Sequence, residues 1–322
     1  MPQRRQFLQS TAAMAASLSM PCDYVEAAAA PEPAPAADEG KPGSLLPTLK
    51  LGSHTVTRLI VGANPFYGYS HFNRLFSSHM TEWSTSERVC QVLKQCEANG
   101  INTWQFSHHD RSIADLQRHR AEGGRMQWIL LSGREIEENP AKIREIAALK
   151  PIGVVHHGGS AERRRRAGEL GKVRDFLKAV RDSGVMVGLS THDPSFLEEV
   201  ESQGWDVDFY MTALYYLTRT PEEFKQLLGT RPLGEIYIPE DPEKMCRAIR
   251  KTPKTCLCYK VLAAGRLTDS SEQIERAFRY TFENIKPQDG IIIGMYPRYF
   301  DQVRDNAERV RRLLPATRSA AG

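Results

Sequence analysis

The chain has 322 residues, 41% of them hydrophobic, and carries 43 Lys and Arg against 39 Asp and Glu, a net charge of +4. A balance this mild leaves no basic footprint for nucleic acid, and the length is ample for a large core. Six cysteines in so long a chain do not make a disulfide framework.

The first segment reads MPQRRQFLQS. Arg4 and Arg5 followed by Phe7-Leu8 match the twin-arginine export pattern, and the apolar run Ser10 to Met20 is too short to span a bilayer. Residues 1–30 are therefore expected to be a removable signal, with cleavage near Ala27 to Ala30. The expected partner is the twin-arginine export machinery, and the expected location is the periplasm or another extracytoplasmic space. No stable membrane insertion is expected after cleavage. Cys22 follows Ser19-Met20-Pro21, a poor context for lipidation. Residues 31–46, rich in Ala and Pro, read as a disordered linker. The barrel is expected over 47–316, with a short tail over 317–322.

From Arg58 onward, short apolar runs alternate with amphipathic segments. The strands expected are Leu59–Ala63, Asn102–Phe106, Gln127–Leu131, Gly153–His156, Met186–Leu189, Val207–Leu214, Cys256–Leu262 and Gly290–Ile293. They are rich in Ile, Val and Leu, as strands buried on both faces are. The helices expected are Ser84–Asn99, Pro140–Leu149, Glu169–Ser183, Pro194–Gln203, Pro242–Lys251, Ser271–Ile285 and Arg298–Leu314. Asp193-Pro194 and Thr220-Pro221 are helix starts, a capping side chain followed by Pro. The segment Thr220–Asp241 is expected to add a short helix and an extra strand, Glu235–Ile238. The run Arg163 to Arg166 reads as the solvated start of a helix.

Eight strand–helix units predict an α/β fold, a closed (β/α)8 TIM barrel; no Gly-rich phosphate loop favours an open sheet. Reacting groups of such barrels sit where strands end. Those ends carry His108, His109 and Asp110, then Arg134, then His156 and His157, then His192 and Asp193, and later Tyr215, Tyr216, Lys260, Arg266, Tyr296 and Arg298.

These segments resemble the aldo-keto reductase superfamily. LKLGSHTVTRLIVGANPF from Leu49 is similar to its opening hairpin and first strand, and ANGINTWQFS from Ala98 to its second. GVMVGLSTHD resembles its fifth strand and YKVLAAGRL its seventh. IIIGMYPRYFDQVRDNAERVRRL from Ile291 resembles its eighth strand and following helix. The resemblance implies a nicotinamide site, with Ser190, Gly294, Arg298, Asp305 and Asn306 as cofactor contacts and NADP as the cofactor. It also implies a tetrad of Asp, Tyr, Lys and His, and most of it is replaced. Gln105 stands for the Asp, His109-Asp110 for the Tyr, and Ser132-Gly133 beside Arg134 for the Lys. The His position is kept as His156, while Thr191 and Met211 replace the nicotinamide-site Asn and Gln. Losing the phenol and the amine removes the proton donor and the group that tunes it.

Three functions remain open. One is a rebuilt, His-rich enzyme site acting on a small polyol, sugar-like or carbonyl substrate by hydrolysis, elimination or isomerisation. Its catalytic groups would be His109, His156, Lys260 and Asp110, and His109, His157 and His192 could hold a divalent transition metal. Adjacent histidines on a strand face opposite ways, so at most one of each pair serves. The second is an NAD(P)-dependent oxidoreductase with His156 or His109 as an unorthodox acid. The third is a non-catalytic ligand-binding barrel. Lys260 alone admits phosphate contact, substrate contact or a Schiff base.

Overall fold

The computed structural model describes residues 44–139 and 141–314. A two-stranded antiparallel hairpin, β1 (Thr48–Leu51) and β2 (His54–Thr57), comes first. The barrel strands follow: β3 (Leu59–Gly62), β4 (Thr103–Ser107), β5 (Gln127–Leu131), β6 (Gly153–His156), β7 (Met186–Thr191), β8 (Phe209–Ala213), β9 (Thr255–Tyr259) and β10 (Gly290–Gly294). All eight pair in parallel and close, β10 on β3. The closed eight-stranded barrel expected from the alternation is the observed fold.

Period-two alternation sorts each strand into two faces. Outward residues such as Val61, Trp104, Trp128, Val154, Leu189 and Ile293 pack under the helices in the main core. Inward residues Ile60, Ile129, Val155, Phe209, Met211, Leu257 and Ile292 form a second core inside the barrel. Leu49, Leu51 and Val56 of the hairpin join that inner core and seal the floor. Fully burying each such side chain contributes roughly 1.5–3 kcal/mol. Gly153 and Gly188 face the same space because a Cβ at either would lie 2.8 Å from the Phe209 ring.

The surrounding helices are α1 (Arg74–Trp83), α2 (Ser86–Ala98), α3 (Asp110–Ala121), α4 (Arg134–Glu138), α5 (Ala141–Ala148) and α6 (Gly158–Arg166). They continue with α7 (Leu170–Asp182), α8 (Pro194–Ser202), α9 (Pro221–Leu228), α10 (Asp241–Lys251), α11 (Ser271–Asn284) and α12 (Gln302–Leu313). Both Pro-led starts are capped as expected. Asp193 accepts from Ser195 N–H, and Thr220 forms a capping box with Glu223.

Several boundaries differ. Helix α1 is additional to the helices expected; it ends at Trp83, and Thr85 caps a separate α2. Helix α12 begins at Gln302 because Asp301 supplies the cap, leaving residues 298–301 outside the helix. The arginine run closes α6 rather than opening a helix, where its charge complements the negative end of the helix dipole. No strand forms over 235–238. There Tyr237 packs against Tyr215, and Glu235 accepts from the Tyr237 hydroxyl at 2.9 Å. The linker reading reached one residue too far, since Leu46 is buried and its N–H donates to Gly100 O. The signal, residues 31–43, Pro140 and residues 315–322 lie outside the described residues.

Candidate active site

The C-terminal ends of β3, β4, β9 and β10 surround a cleft of about 310 Å³. Its inner end is lined by Gln105, Tyr259, Lys260 and Ile292, and it runs outward past Gly294 to Gln302, Asp305 and Asn306. Gly62 and Gly294 are paired across the β3–β10 junction. A Cβ on Gly294 would sit 2.9 Å from the Pro65 ring, so only glycine leaves this passage open.

Tyr259 is the last residue of β9 and shares the inward parity of Leu257. Its hydroxyl lies 3.0 Å from Ser190 Oγ and 3.1 Å from His192 Nε2. The other ring nitrogen of His192, Nδ1, is 3.4 Å from Glu162 Oε2, an ion-pair distance longer than a well-formed hydrogen bond. Glu162, from α6, is 1% exposed. Its Oε1 accepts from Thr191 Oγ1 at 2.8 Å, His192 N–H at 2.5 Å and Asp193 N–H at 3.1 Å. Burial pushes this carboxyl up, but the His192 ring and its charge, with help from Thr218 and the backbone, outweigh burial and hold it at about 2. The result is a polar chain from a buried carboxylate, through a histidine, to a phenol in the cleft. Burial raises the Tyr259 phenol above its usual range, so it stays protonated. In neutral His192, a proton on Nδ1 facing Glu162 leaves Nε2 free to accept from Tyr259.

Lys260 follows Tyr259 with a left-handed backbone, φ +61. Its Nζ is buried and has no hydrogen-bond partner among the described residues. Burial pushes the amine down to about 8, against the pull of the Glu235 carboxylate, and Arg266 adds to the drop.

Of the groups expected to be catalytic, Lys260 alone lines the cleft. His156 has the outward parity of Val154 and packs edge-on against Phe176 in the main core, 4.8 Å between centroids. Burial pushes its imidazole down to about 4, with Glu137 opposing. His109 is the N-cap of α3: its Nδ1 accepts from Ser112 N–H, and its ring abuts Tyr67. Asp110 is the exposed first residue of that helix. His157 likewise caps α6 through Nδ1. With His109 and His157 committed to caps and His192 to Tyr259, the three expected metal ligands are not gathered. Among the described residues no group of three or more His, Cys, Asp or Glu side chains is placed to hold a metal ion. The donor set does not fit a metal.

The expected cofactor contacts divide. Gly294, Asp305 and Asn306 line the outer cleft, and Ser190 bonds Tyr259. Asp305 is also paired with Arg309 at 2.9 Å. Arg298 lies away from the cleft, against His79 and the Tyr296 hydroxyl. Sequence reasoning missed Tyr259 and Glu162. The parity of Tyr259 with Leu257 is the signal that could have found it, whereas Glu162 is hidden among arginines and marked by no motif.

No family model and no curated protein matches this chain. Among solved structures, Gox0644 in its apo form is similar over 84% of this chain and 94% of its own, with 10% identity and a TM-score of 0.51. The glycerol dehydrogenase AKR11B4 from Gluconobacter oxydans aligns at 13% identity and a TM-score of 0.46, over 83% of this chain and 96% of its own. A truncated 3-deoxy-D-arabino-heptulosonate 7-phosphate synthase from Thermotoga maritima aligns at 13% identity and a TM-score of 0.47, over 84% and 91%. At such identities the likeness to Gox0644 is one of fold.

Proposed function

We propose that this chain is an exported enzyme of aldo-keto-reductase-like build that moves protons on a small carbonyl or polyol substrate. The observation that carries the reading is the chain Glu162–His192–Tyr259, which ends in the cleft that Lys260 also lines. The Tyr259 hydroxyl donates a proton to a substrate oxygen as charge develops there. The phenolate left behind is re-protonated from His192 Nε2 once the ring has taken up a proton from solvent, and Glu162 stabilises the imidazolium formed in between. Lys260 faces the same substrate as an amine or a cation. The test is exchange of solvent deuterium into C–H bonds beside the carbonyl of short hydroxy-aldehydes and ketones. Wild-type exchange that falls at least about a hundredfold in Tyr259→Phe is expected; equal exchange in both refutes the assignment.

A second reading, an NAD(P)-dependent oxidoreductase, is favoured by the cleft's extension past Gly294 to Gln302, Asp305 and Asn306. The polar side chains of Gln302 and Asn306 fit an adenine, and the open backbone at Gly294 fits a phosphate. The cofactor would supply the hydride, and Tyr259 would protonate the oxygen. Enhancement of NADPH fluorescence on titration, lost in Asn306→Leu, would support this reading; a flat titration refutes it.

A further inference from the structure

Successive residues of a strand point to opposite faces, yet Tyr259 and Lys260 both line one cleft. The left-handed backbone at Lys260 breaks the alternation and turns the amine inward. For a residue with a Cβ this conformation is strained, and the surrounding structure must hold it. The fold thus places a long amine where regular strand geometry would have sent it into the helix layer.

Among the described residues, the charged groups that act on that amine, Glu235 and Arg266, are committed or repulsive. Glu235 is held by His71 at 2.8 Å and by the Tyr237 hydroxyl at 2.9 Å. Arg266 stacks on the Tyr237 ring at 4.2 Å, while Lys260 Nζ stands 6.0 Å from the same ring. Tyr259 is engaged with Ser190 and His192. Among the described residues nothing pairs with the amine itself. A lysine serving as a structural ion would have a carboxylate within hydrogen-bond reach.

We propose that Lys260 is a covalent catalyst whose Nζ forms an imine with the carbonyl carbon of a short hydroxy-aldehyde or hydroxy-ketone bound in the cleft. This deepens the carbonyl reading above and rests on it. The nitrogen lone pair attacks the carbonyl carbon, and the C=O π pair moves to oxygen. The nitrogen gives up both its protons, the oxygen takes them and leaves as water, and the C=N bond replaces C=O. One amine and one carbonyl become one imine and one water, with no oxidant or reductant. The Tyr259 hydroxyl supplies a proton to the departing oxygen, and the phenolate is re-protonated from His192 after the ring has taken up one of the two protons released by the nitrogen. With the amine held at about 8 rather than 10.5, the uncharged nucleophile near pH 7 is about a hundredfold or more commoner than in an ordinary lysine.

The test is to incubate the full chain with glyceraldehyde, add sodium borohydride, and locate the reduced adduct by peptide mass spectrometry. The expected result is an adduct concentrated on the peptide bearing Lys260, with a yield that rises as pH passes about 8. It should vanish in Lys260→Met and in Lys260→Arg, the latter keeping the charge in case the former fails to fold. Adducts spread evenly over surface lysines, or undiminished in a folded Lys260→Arg, overturn the proposal. Deuterium exchange separates the two claims. Exchange that persists in Lys260→Arg at the wild-type rate overturns the imine and leaves proton transfer by Tyr259 standing. Absence of both exchange and adduct across the wild-type panel overturns the carbonyl reading, and the imine with it.

Discussion

Replacing Glu162 by Gln isolates the charge at the root of the polar chain. Glutamine has nearly the same shape, and its oxygen can keep the three bonds from Thr191, His192 and Asp193. What disappears is the carboxylate facing His192. The drop of the Glu162 carboxyl from 4.5 to about 2 corresponds to about 3 kcal/mol. The folded value lies below the unfolded one, so this stability is complete above about pH 4.5 and is lost as pH falls towards 2. Part of that drop is the attraction of a charged His192 ring, so about 3 kcal/mol, or about 6–12 °C in Tm for a domain of this size, is the ceiling on the stability Glu162→Gln should lose at pH 7, and a neutral ring leaves a smaller loss. Urea unfolding followed by circular dichroism at a series of pH values measures it. The gap between variant and wild type should narrow steadily below pH 4.5. A gap of the same size at pH 7 and pH 3 would show that shape, not charge, is what Glu162 contributes. The variant should also invert His192, since an amide N–H facing Nδ1 moves the ring proton to Nε2. Tyr259 would then lose its acceptor, and nitrogen-15 shifts of the ring report the change.

Three further perturbations test other parts of the structure. His156→Leu should leave deuterium exchange within about twofold of wild type, because the ring lies outside the barrel. Its imidazole sits at about 4 in the fold against 6.5 unfolded, so its neutral burial loses stability as pH falls from 6.5 towards 4; the leucine variant should lack that component in acid titrations of unfolding. Gly188→Val should cost roughly 1–3 kcal/mol, since a Cβ there lies 2.6 Å from Val155 Cγ2 and 2.8 Å from Phe209 Cζ. Adding Phe209→Leu should recover part of the loss in a thermal melt, and additive losses would refute the clash. Changing Arg4 and Arg5 together to Lys should strand the protein in the cytoplasm on cell fractionation, and unaltered export would remove the twin-arginine assignment.

The barrel was legible because each strand is a short Ile-, Val- or Leu-rich run. Strand ends were less so. Val261 and Leu262 extend the apolar pattern of β9, yet the chain leaves the sheet at Lys260 by a backbone turn that composition does not reveal. The histidines misled for a physical reason. His109 and His157 sit where strands end because helix N-caps need a side-chain acceptor there, a task any short polar residue could do. His156 could have been set aside by parity, since Val155 must face inward. Glu162 was out of reach of any local pattern: its role arises from α6 crossing behind the end of β7, a tertiary placement. The strand predicted at Glu235–Ile238 had the right alternation but no neighbouring edge to pair with, because a closed barrel offers none.

The cleft sits at the one seam where the first and last barrel strands meet. Gly62 and Gly294, which frame it, are neighbours in space although most of the described chain lies between them. Closing so long a loop is paid in chain entropy before any ligand contact can form. The Glu162–His192 half of the machinery, by contrast, comes from adjacent units in mid-chain. A chain ending before Gly290 thus carries every residue of the relay and still has no pocket to serve. Ligand binding in the cleft is accordingly a readout of circular completeness: it reports that the two ends of the barrel have found each other, which helix content alone does not.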